Sequence, residues 1–170
     1  MSNIHKLNQL DKQALTEALT RCCGATRWVE QMVLPRPFAN EDALLQAANT
    51  TWWSLTEDDW REAFTHHPKI GDINSLRAKF AQNTKQWSAN EQSGVDNADE
   101  AVLQGLADGN HAYEARFGYI FIVCATGKSA SEMLTLLEDR LPNDPSDEIK
   151  IAAEEQRKIT QIRLGTLLEE

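Results

Sequence analysis

The run THHPKIGD, residues 65–72, is the first place where residue types and order could do chemistry. Proline pushes the residue before it out of the α region. His67 is therefore held in a defined direction at the end of a helix, with an imidazole that can give or take a proton near neutral pH. The same run also reads as a surface turn that ends a helix on a histidine. In WSANEQSG, residues 87–94, Ser88 and Glu91 stand in capping-box spacing. They could do no more than open a helix. If Glu91 or Gln92 instead faces a cavity, it can hold an imidazolium or a urea-like ligand, and a helix N-terminus also favours anions. The third place is FIVCATG, residues 121–127. Cys124 reads there as a small buried hydrophobe, with little positive charge nearby in sequence to make a thiolate. An extended backbone without a sheet partner leaves N–H and C=O groups to be satisfied, which an amide-rich ligand could do.

Other chemistries find no footing. There is no Gly-rich phosphate loop and no G-x-S-x-G elbow. His5, His66, His67 and His111 form no H-x-x-x-H pair, and adjacent Cys22 and Cys23 lack the gap of a zinc knuckle. No protein-bound metal is expected, so catalysis would fall to acid–base and electrostatic work by side chains.

The elements that must position these residues read as helices. Leu7, Leu10, Ala14, Leu15, Ala18, Leu19 and Cys22 recur at helical spacing, with Gly24 as a stop. Trp28, Val29, Met32 and Val33 form a short stripe closed by Pro35 and Pro37. Asn40 and Thr56 precede acids and cap two more helices, the second ending at His67-Pro68. A helix is predicted from about 74 to 86, then one opened by Ser88, weakened or broken by Gly94, Gly105 and Gly109, and ended near Gly118. YIFIVCATG is the one strand-like stretch, read as buried extended chain or a short helix. Ser129 opens another helix. Asp144 with Pro145 opens the last, along which lie Ile149, Ala152, Ala153, Gln156, Ile159 and Arg163. The expectation is an all-α single domain, 1–170, of seven or eight helices of unequal length, with one short extended segment near 119–126.

Composition sets the bounds. The chain has 170 residues, 41% hydrophobic and 25% charged, which argues for a globular protein and against disorder. A balance of 17 Lys+Arg against 26 Asp+Glu gives −9, which disfavours nucleic acid and anionic membrane as partners. No apolar run approaches the roughly 20 residues of a membrane span. The start lacks the apolar stretch of a signal peptide. Three cysteines make no disulfide framework, so a reducing compartment is expected. LGTLLEE carries no peroxisomal address, which points to the cytoplasm.

Taken in order, WVEQM, HHPKIGD, SANEQSG, ARFGYIFIVCATGKSASEMLTLLEDRLPN and KITQIRL resemble one family across nearly the whole chain. It is the family of 2-oxo-4-hydroxy-4-carboxy-5-ureidoimidazoline (OHCU) decarboxylase, a lyase of urate breakdown in purine metabolism. Many members carry Arg where this chain has Lys69, which keeps the charge but loses a bidentate fork. The resemblance implies a cofactor-free, largely helical homodimer. It would act after urate oxidase and hydroxyisourate hydrolase, releasing (S)-allantoin and carbon dioxide. It implies a catalytic role for His67 and Glu91. It places substrate contacts on Pro68, Ser88, Gln92, Phe121, Ile122, Val123, Cys124, Ala125 and Arg163. Two rivals stand beside it: another cofactor-free enzyme acting on a ureide, and a non-catalytic helical interaction module with Trp52, Trp53 and Trp60 as its surface.

Overall fold

The structure is a computed structural model that describes residues 3–67 and 89–169, the side chains of 89–99 excepted. Eight helices and no strand occur among the described residues: α1 (Asn3–Gln9), α2 (Lys12–Cys22), α3 (Thr26–Val33), α4 (Glu41–Trp53), α5 (Glu57–Thr65), α6 (Ala89–Phe117), α7 (Ala130–Arg140) and α8 (Pro145–Glu169). The all-helical expectation holds. The helix predicted over 74–86 lies outside the described residues.

Local capping explains most of the boundaries. Asn40 accepts from the Ala43 amide at 2.8 Å. Thr56 and Asp59 form a reciprocal capping box at the start of α5. Ser129 accepts from the Glu132 amide at 3.1 Å. Asp144 and Pro145 open α8 as expected. The apolar run from Leu7 to Cys22 differs: it reads as one helix but is two. Asp11 accepts from the Ala14 amide at 2.7 Å and restarts the chain as a second helix. An aspartate in the middle of a periodic pattern reads as a solvent-facing residue, and here it is a cap.

The helices fall into two compact units, the first of residues 1–67 with 149–170 and the second of 68–148. In the first, Leu15, Leu19, Trp28, Met32, Phe64 and Leu164 form the core. Its buried indoles are satisfied: Trp28 Nε1 donates to the Ala48 carbonyl at 3.2 Å and Trp52 Nε1 to that of Ala153 at 2.9 Å. Trp60 Nε1 donates to the Trp52 carbonyl. Of the three tryptophans considered as a binding surface, Trp52 is core, Trp60 half-buried and only Trp53 exposed.

The second unit is built on α6 against α7, with Leu106, Tyr113 and Leu137 buried. The glycines of α6 do not break it: the helix runs unbroken for 29 residues. Gly105 and Gly109 instead serve close packing. A Cβ at 105 would lie 3.0 Å from Leu134 Cδ2, and one at 109 would lie 2.5 Å from Leu137 Cδ2. Gly118, at φ 83°, ends the helix in a conformation few other residues adopt.

This packing makes a prediction. Alanine at a helical glycine gains about 1 kcal/mol of propensity. Overpacking a filled core costs about 1–3 kcal/mol. Leu137 is fully buried. Gly109→Ala should therefore lose stability in urea unfolding. Gly165→Ala, where an added Cβ meets nothing within 4 Å, should gain it. A more stable Gly109→Ala would show that Leu137 yields.

Candidate active site

Helix α5 carries the histidine pair. The last turn continues two residues beyond the helix, with the His66 amide bonded to the Ala63 carbonyl and the His67 amide to that of Phe64. The two rings then part. His66 is exposed and lies over Gly24, where a Cβ would fall 2.2 Å from the His66 Cγ. Gly24 thus makes room for a ring, besides following a helix end.

His67 is half-buried, and its Nε2 lies 2.5 Å from Gln156 Oε1 on α8. Gln156 is 1% exposed, and its Nε2 donates to Thr160 Oγ1 at 3.1 Å. Thr160 in turn shares a hydrogen bond with the Cys23 thiol. Burial pushes that thiol up to about 11, against the opposing pull of the Ala25 amide and Thr160. Cys23 is therefore a neutral thiol at physiological pH. One turn further along α8, Arg163 is half-buried, with Nη1 3.5 Å from the Cys22 carbonyl.

The second unit holds the stretch 119–125, which is neither helix nor strand. Burial alternates along it: Ile122 and Cys124 are buried, while Phe121, Val123 and Ala125 are half-buried. That period of two is how an extended chain divides its side chains between a core and an open side. Cys124 faces the core side. The backbone is held by cations. Arg140 Nη1 donates to the Ile122 carbonyl at 2.7 Å, and Lys128 Nζ to that of Cys124 at 2.7 Å. The Ala125 carbonyl accepts from the Lys128 amide. These carbonyls are already engaged, which narrows what the segment's backbone can offer a ligand.

Arg140 belongs to a buried network. Its Nε and Nη2 donate to Glu148 Oε2 at 2.8 and 2.5 Å. The Tyr113 hydroxyl donates to the same oxygen, and Asn143 Nδ2 donates to Glu148 Oε1 at 3.0 Å. The guanidinium also stacks 4.6 Å from the Phe121 ring centroid. Burial holds the Tyr113 phenol well above its usual value; Arg140 pulls it down and Glu148 pushes it up.

Of the residues singled out from the sequence, His67 and Arg163 belong to the first unit and Phe121–Ala125 to the second. Glu91 and Gln92 lie on the backbone of α6, and their side chains fall outside the described residues, as do Pro68, Lys69 and Ser88 altogether. Sequence reasoning missed the partners: Gln156, Thr160, Arg140 and Glu148. A signal existed for two of them. Arg140 continues the buried stripe of Met133 and Leu137, and Gln156 continues that of Ile149, Ala152 and Ala153. A polar group on such a stripe needs a partner.

The sequence profile of the OHCU decarboxylase family matches residues 8–165. The chain belongs to the OHCU decarboxylase family. It is 38% identical over 149 residues to the uric acid degradation bifunctional protein TTL of Arabidopsis thaliana, covering 86% of this chain and 45% of that longer protein. It is 30% identical over 137 residues to the 2-oxo-4-hydroxy-4-carboxy-5-ureidoimidazoline decarboxylase of Amia calva, covering 79% of this chain and 75% of the other. A crystal structure of an OHCU decarboxylase in the presence of (S)-allantoin superposes with a TM-score of 0.69 at 36% identity, covering 89% of this chain and 96% of that one.

In this OHCU decarboxylase family chain the last helix offers two arginines near its middle. Arg157 is engaged by Glu154, with Nη2 to Oε1 at 2.6 Å, and that pairing holds the Glu154 carboxyl below its usual value. Arg163 lies on the side of α8 that carries Gln156 and Thr160.

Proposed function

We propose that this chain decarboxylates OHCU to (S)-allantoin and carbon dioxide, the third step from urate. The observation that carries the reading is the family match over residues 8–165. The likeness in fold to an OHCU decarboxylase crystallised in the presence of (S)-allantoin supports it. Residues 1–170 act in this reading as one domain, a homodimer of which works in the cytoplasm. Exposed Leu34, Trp53, Ile151 and Ile162 supply apolar surface for pairing.

The chemistry needs no cofactor, because the substrate carries its own electron sink. The C–C bond to the carboxylate breaks, and its electron pair moves toward the adjacent C=N. An enol-like intermediate results. A proton then arrives at the ureido-bearing carbon from one face, while the ring nitrogen that took the electron pair gains a proton and the hydroxyl gives one up to solvent to become the ring carbonyl. The protein must hold the carboxylate across the π-system, stabilise the spreading charge and deliver the proton. His67 delivers it. Glu91 supports the imidazolium or bonds the substrate. Arg163 takes the carboxylate. Gln92, Ser88, Pro68 and the open side of Phe121–Ala125 receive the ureido group and ring.

The test is optical. Urate oxidase and hydroxyisourate hydrolase generate OHCU in a cuvette, and adding this protein should speed the loss of the OHCU circular-dichroism signal as (S)-allantoin forms. Dialysis against EDTA should leave the rate unchanged. No acceleration would reject the decarboxylase reading and favour a helical interaction module. A rate restored only by added metal would reject cofactor-free catalysis.

A further inference from the structure

An imidazole that passes a proton must use one nitrogen for the transfer, and its other nitrogen decides tautomer and orientation. The bonds behind His67 have a direction. A glutamine amide has a donor end and an acceptor end. Its donor end, Nε2, meets the Thr160 hydroxyl oxygen at 3.1 Å, and that oxygen accepts. The amide oxygen is then the atom facing His67, 2.5 Å from its Nε2. A carbonyl oxygen only accepts, so the hydrogen is on the histidine nitrogen.

We propose that Gln156 is the positioning residue of His67: it fixes the Nε2–H tautomer and assigns proton exchange with the substrate to Nδ1, an inference that rests on His67 being the proton carrier. Gln156 is buried on the rigid wall of α8, so water does not compete for its oxygen. Being neutral, it orients the ring without the charge by which a carboxylate would favour the imidazolium. The other titratable groups described on the neighbouring elements have attachments of their own. Glu62 accepts from Thr26 at 2.8 and 2.7 Å, and Glu155 accepts from Lys158 at 2.7 Å. Cys23 stays a thiol, Arg163 points to the Cys22 carbonyl, and His66 lies over Gly24.

The experiment reads the ring directly. In the full-length 15N-labelled protein, imidazole nitrogen shifts are recorded above the ring's titration, with His67 assigned by its absence from His67→Asn. The Nε2–H form is expected, and the Nδ1–H form would overturn the proposal. Gln156→Leu should give mixed tautomers and lower kcat by about tenfold with little change in KM, as misplacement of a reacting group does. Gln156→Glu keeps an acceptor. It should retain the Nε2–H form and recover kcat, with the pH profile moved upward by about one unit, since an opposite charge favours the imidazolium. An unmoved profile in Gln156→Glu, or an inactive Gln156→Leu with its tautomer unchanged, would reduce Gln156 to a packing role. A wild-type protein with the Nε2–H ring that does not turn over OHCU would uphold the pairing and reject the decarboxylase reading instead.

Discussion

His67→Asn is expected to lower turnover of OHCU by about 10²- to 10⁴-fold, the usual loss when a general acid is removed. Asparagine is polar and of similar reach, but it has no titrating proton. The fold should survive, because His67 is only half-buried and follows the last turn of α5 rather than filling the core. Stereochemistry gives a second reading of the same variant. Protonation in free solution has no preferred face and yields racemic allantoin. Residual product from His67→Asn should therefore lose its optical purity along with its rate. His66→Asn is the control. That ring rests over Gly24 rather than reaching Gln156, so only a small effect is expected. Near wild-type production of (S)-allantoin by His67→Asn would remove the proton-donor role. A dead His66→Asn beside an active His67→Asn would move the chemistry one residue back along the chain.

Features decided within three or four residues were readable from the chain alone. The caps at Asn40, Thr56, Ser129 and Asp144 are of this kind, because donor and acceptor are near neighbours. Asp11 is a cap of the same kind, but it sits inside a continuous apolar period and so reads as part of one helix. Features decided across long distances were not readable. Gly105 and Gly109 look like helix breakers until Leu134 and Leu137 are known to press on them. The partner of His67 stands 89 residues away, and nothing local to the HHP run points to it. The 119–125 stretch was recognisable as strand-like from its composition. That it is pinned by Arg140 and Lys128, rather than by another strand, depends on tertiary contacts.

Breaking the Arg140–Glu148 pair should have the largest effect on stability. The Glu148 side chain is fully buried and that of Arg140 is 8% exposed, so neither charge can turn to water when its partner is lost. Removing one member of such a pair costs about 3–5 kcal/mol, chiefly because the other remains buried and uncompensated. Arg140→Met and Glu148→Leu should each show that loss in urea unfolding. Replacing both removes both charges, and well-packed apolar substitutes are often neutral or better. Arg140→Met/Glu148→Leu should thus recover much of the stability. The coupling is the decisive quantity: two single losses that simply add would mean that the pair does not act as a unit. Function should not recover in parallel. The Ile122 carbonyl loses its guanidinium in the double variant, and the Phe121 ring loses the cation stacked on it. If the open side of Phe121–Ala125 receives the substrate, the double variant folds yet binds OHCU more weakly, with a raised KM. A double variant with restored stability and an unchanged KM would confine Arg140 to holding the fold and leave the placement of the segment to Lys128 and the buried Ile122 and Cys124 side chains.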